Sequence, residues 1–78
     1  MITGMMWFDN DPKTTLAGKI ALAAQYYHRK YGRDPDCVMV NPKAMPADGL
    51  RMVGPIRVQA WRGVMPGNLW IGNDEVRV

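Results

Sequence analysis

Seventy-eight residues make one domain, and 47% of them are apolar, with three Trp, three Tyr and seven Met among them. A domain this small buries only about 60% of its unfolded surface, so some of these large side chains are expected to stay outside. Ten Lys/Arg against seven Asp/Glu give +3, too slight an excess to imply nucleic acid alone, and the single cysteine, Cys37, excludes an intrachain disulfide framework.

The opening stretch, MITGMMWFDNDP, has no basic residue ahead of its apolar ones and turns acidic within nine positions. That is unlike a signal peptide, and no apolar run approaches the ~20 residues that span a bilayer. A cytoplasmic protein without membrane association is the expectation. Residues 2–8 are apolar apart from Thr3 and Gly4, and Asp9-Asn10-Asp11 bounds them, so they predict a first strand.

A helix is predicted over residues 12–31. Asp11 is an acceptor suited to the N-cap, Pro12 suits the first helical position, and Gly32 suits the C-terminal cap. His28, Arg29 and Lys30 place basic groups at the negative end of the dipole. At 100° per residue, Leu16, Ile20, Ala23, Ala24, Tyr27 and Tyr31 share an arc of about 100°, the width of a core-facing stripe.

Arg33-Asp34-Pro35-Asp36 reads as a turn, and Cys37-Val38-Met39-Val40 as a short buried strand. Residues 42–55 hold three Pro and two Gly and read as a loop, with a turn at Asp48-Gly49 and a brief extended piece over 50–53. From 56 to 61 the chain alternates, with Ile56, Val58 and Ala60 on one side and Arg57, Gln59 and Trp61 on the other. Pro66-Gly67 signals a type II turn. Leu69-Trp70-Ile71 then predicts a strand with Trp70 outward, Asn73-Asp74 a turn, and residues 75–78 a short edge strand.

The fold class predicted is α+β, in the order β-α-β-β-(β), with one amphipathic helix on one face of a small mixed or antiparallel sheet. The strands flanking the helix are expected to be parallel neighbours, and the later ones to join as hairpins. One helix leaves the opposite sheet face bare. Trp61 and Trp70, with Arg57 beside them, are therefore the candidates for self-association, and a homo-oligomer is the expected partner state.

Asp9-Asn10-Asp11 offers oxygens to a hard cation, but lacks the alternating acids, Gly and distant Glu of a calcium loop, and capping explains the acids without metal. His28 and Cys37 are too few for a structural zinc site, and nothing in the sequence activates the thiol. There is no serine in the chain. No cofactor, small-molecule ligand or catalytic residue is predicted, and the chain is read as non-enzymatic. Lys19, Tyr26, Arg29, Lys30 and Arg33 make a basic, aromatic helix flank whose alternative role is nucleic-acid binding, with cations on phosphates and Tyr26 stacked on a base.

MMWFDNDPKTTLAGKI, YYHRKYG and VMPGNLWIGND together resemble a group of short bacterial proteins of nearly this length with no assigned activity. That resemblance implies no activity, cofactor or partner. The order VMVNP, GPIRV, MPGNLWIGN is also similar to a part of HK97-type phage capsid proteins, which are much longer. This second likeness implies assembly.

Overall fold

The computed structural model describes residues 2–74. Cys37–Val40 (β2) is the wholly apolar run of the sequence, and it lies inside the sheet with a neighbour on each edge. Antiparallel to it on one side runs Asn68–Asp74 (β5), and parallel to it on the other runs Ile56–Ala60 (β4). Ile2–Phe8 (β1) pairs antiparallel with β5 over seven residues and forms one edge. The two-residue strand Met52–Val53 (β3) pairs antiparallel with β4 and forms the other. The five-stranded mixed sheet therefore has the order β1-β5-β2-β4-β3.

One helix, Leu16–Tyr31 (α1), covers a single face of this sheet. Its Ile20, Ala23 and Tyr27 are fully buried against Val38, Val40, Ile56, Val58, Leu69 and Ile71. Leu16 and Ala24 pack at the margin of the same core. Tyr31, predicted for that stripe, lies at its exposed end with its ring 4.6 Å from that of Tyr27. Gly32 closes the helix in the left-handed conformation, φ 73°, and donates its N–H to His28 O at 2.8 Å.

Several expectations are corrected. The helix begins four residues later than predicted, capped by Thr15, whose Oγ1 accepts the Gly18 N–H at 3.1 Å. Asp11 instead folds a local turn, accepting from Lys13 N at 2.9 Å and Thr14 Oγ1 at 3.1 Å, a use of aspartate that competes with helix propagation. β1 and β2 run in the same direction but are not neighbours, because β5 lies between them. Seven-residue β1 and β5 match in length, whereas β2 offers only four residues. Among the described residues β3–β4 is the one hairpin pair, and β4 lies parallel to β2 instead.

Asn73-Asp74 does not turn the chain but completes β5. Ala60 aligns with Val40 yet remains exposed at the strand end. Val64, in the loop that follows, is fully buried, with its carbonyl accepting from Asn41 Nδ2 at 2.9 Å. The Pro66-Gly67 turn forms as predicted: Gly67 has φ 86°, and Asn68 N–H bonds Met65 O at 3.0 Å. The strand predicted over 75–78 lies outside the described residues.

Candidate functional site

Strand alternation sends every second side chain away from α1. On this open face the register sets Met6, Trp70, Met39 and Gln59 in one row across four strands. The next row holds Gly4, Gly72, Cys37, Arg57 and Met52. Gly4 has a steric purpose here: a methyl group in its place would overlap the Trp70 indole, which lies across it. Trp70 is thereby half-buried while Trp61, in the loop after β4, is 54% exposed.

Gly4, Met39, Gln59, Ala60, Trp61 and Trp70 line an open-sided hollow of about 520 Å3. The structure thus brings Trp61 and Trp70 together on the face the sequence assigned to them. Arg57 stands on the same face one row away, with Nη2 3.9 Å from Asp74 Oδ2. Phe8 and Met6 extend the apolar area to the β1 edge, exposed by 63% and 55%. The sequence reading missed both, because their face follows only from pairing with β5.

Titratable groups on this side point to structure. Burial pushes the Cys37 thiol up to about 11, and neighbouring Asp36 adds to the shift. Cys37 Sγ donates to Gly72 O at 3.6 Å. His28 is exposed on α1, across the sheet, with Nδ1 2.9 Å from Asp34 Oδ1. Cys37 and His28 are therefore not brought together. Burial also acts to raise Asp36, but the Asp74 N–H, 3.0 Å from its Oδ1, and further hydrogen bonds from Cys37 and Asn73 outweigh it and hold this carboxyl below its usual range.

At the other candidate, the helix flank, the residues divide. Tyr26 packs its ring 5.2 Å from that of Trp7, at 49°. Lys19 is half-buried about 15 Å along the axis from Arg29, at 1.5 Å per residue. Arg29, Lys30 and Arg33 are exposed at the C-terminal end, with Lys30 Nζ 5.5 Å from the Tyr31 ring centre. Near the start of the helix, Asp9 accepts from Asp11 N at 3.0 Å, and the hydrogen bond from Lys13 N–H, then that from Thr14, lowers the Asp11 carboxyl. No group of three His, Cys, Asp or Glu side chains among the described residues is placed to hold a metal ion. No helix among them is long and apolar enough to cross a membrane.

Searches of protein-family models, curated proteins and solved structures found no match to this chain.

Proposed function

We propose that this chain is a non-enzymatic binding module of the cytoplasm that self-associates through its open sheet face, with Trp61, Trp70 and Arg57 in the contact. The supporting observation is the hollow between the two indoles, set on the sheet face opposite α1. An indole half in water has on the order of 100 Å2 left to bury, about 2.5 kcal/mol at ~25 cal/mol per Å2. A second copy brings an identical hollow and identical indoles, as a two-fold contact requires.

Light scattering across a concentration series tests this proposal. A dimer or larger assembly is expected, and Trp61→Glu, a change at an exposed site, should dissociate it. A monomeric mass at every concentration overturns it.

The alternative is nucleic-acid binding through Lys19, Tyr26, Arg29, Lys30 and Arg33, favoured by the exposed basic end of α1. Under that reading, anisotropy with labelled RNA or DNA shows affinity falling steeply with salt as counterions are released.

A further inference from the structure

A strand at the edge of a sheet presents unpaired backbone groups, and proteins blunt such edges with charge, proline, bulges or brevity. The two edges here differ. β3 is two residues long, preceded by Arg51 and followed by Gly54-Pro55. β1 is seven residues long, ITGMMWF, without a charge or a proline, and its seven partners on β5 run without a bulge.

Which backbone groups of β1 are free follows from one bond. Asp9 donates its N–H to Gly67 O at 2.9 Å, so Asp9 points at the β5 side. Alternation then commits Trp7 and Met5 to β5 and turns the N–H and C=O groups of Gly4, Met6 and Phe8 outward. Apolar side chains rim this free edge on both sides of the sheet. Met6 and Phe8 are exposed on the open face, and on the helix side Tyr26, 46% exposed, packs against Trp7. Trp7 Nε1 is also the one buried side-chain polar atom lacking a hydrogen-bond partner among the described residues.

We infer that the free edge of β1 pairs with the β1 of a second copy of this chain, antiparallel, joining two five-stranded sheets into one. Centring the pair on Met5 sets Ile2 opposite Phe8 and Gly4 opposite Met6, so the whole strand overlaps and the outward groups meet one another. Antiparallel order also keeps the two Asp9-Asn10-Asp11 segments at opposite ends of the seam, whereas parallel order would set them side by side. A lone peptide strand would satisfy the backbone but leave Tyr26, on Trp7, in water. A second copy brings its own helix flank to the same side and covers it. This edge is distinct from the open face, which the pairing leaves uncovered.

Amide hydrogen exchange on the full chain, read residue by residue at rising concentration beside sedimentation equilibrium, tests the inference. The amides of Gly4, Met6 and Phe8 should slow as the mass doubles, while those of Met5 and Trp7 are slow throughout. Tyr26→Lys, an exposed change, should weaken the dimer roughly tenfold, the scale of losing one interface anchor. Exchange at Gly4, Met6 and Phe8 that ignores concentration overturns the pairing. If the mass doubles under that condition and Trp61→Glu reverses it, the open-face proposal stands alone. Slowing that survives Trp61→Glu leaves the edge standing without the face. Slowing produced by an added peptide of residues 2–8, but not by the chain itself, overturns the second copy as occupant.

Discussion

Tyr27 crosses the core from α1 and places its hydroxyl 2.6 Å from Asn73 Oδ1 on β5. Asn73 is 4% exposed, and its amide group donates to Asp34 O at 3.0 Å. Helix, sheet and the turn before β2 are thus tied by one buried polar residue. A buried asparagine in a core this small is tolerable only because its side chain is satisfied. Tyr27→Phe keeps the ring but strands Oδ1, and should cost about 1–3 kcal/mol in urea unfolding. An unchanged midpoint would mean that Asn73 gains no stability from the hydroxyl. This residue was opaque in the sequence, where Asn-Asp after an apolar triplet resembles a turn. Polarity alone does not reveal a partner 46 residues away.

Among elements, α1 was legible at one end and not at the other. Gly32 occupies a left-handed position that favours glycine, so composition and conformation coincide there. At the start, Asp11 and Thr15 are both competent caps, and the choice depends on whether Asp11 closes a turn first. Since Thr15 Oγ1 holds the Gly18 N–H, Thr15→Ala should destabilise the domain by about 0.5–2 kcal/mol. Asp11→Ala, touching only an exposed turn, should cost less. Paired circular dichroism melts measure the difference, and a larger loss at Asp11 would return the cap to it. The outward placement of Trp70 was legible because period-two alternation needs no knowledge of strand order. Strand order itself was not: a four-residue apolar run such as β2 fits several neighbours, and β5 claims its place by matching β1 in length.

For the whole molecule, the radius of gyration is 11.7 Å, close to the ~11.5 Å that chain-length scaling gives for a folded domain this long. The apolar surplus is therefore not a sign of loose packing. Much of it lies outside, on the open face and around the β1 edge, and under either proposal a second copy covering that surface stabilises the fold. Association that favours the folded chain must then raise its melting temperature with concentration. For a dimer, a tenfold rise in concentration adds about 1.4 kcal/mol per complex, or about 0.7 per chain. In a domain of this size that is worth roughly 3–6 °C. Calorimetric melts over a hundredfold range should show this climb in the wild type. Trp61→Glu should flatten it if the open face carries the contact, and Tyr26→Lys if the β1 edge does. A wild-type midpoint that holds still over the whole range would remove both surfaces as sites of self-association and leave the apolar exterior to another kind of partner.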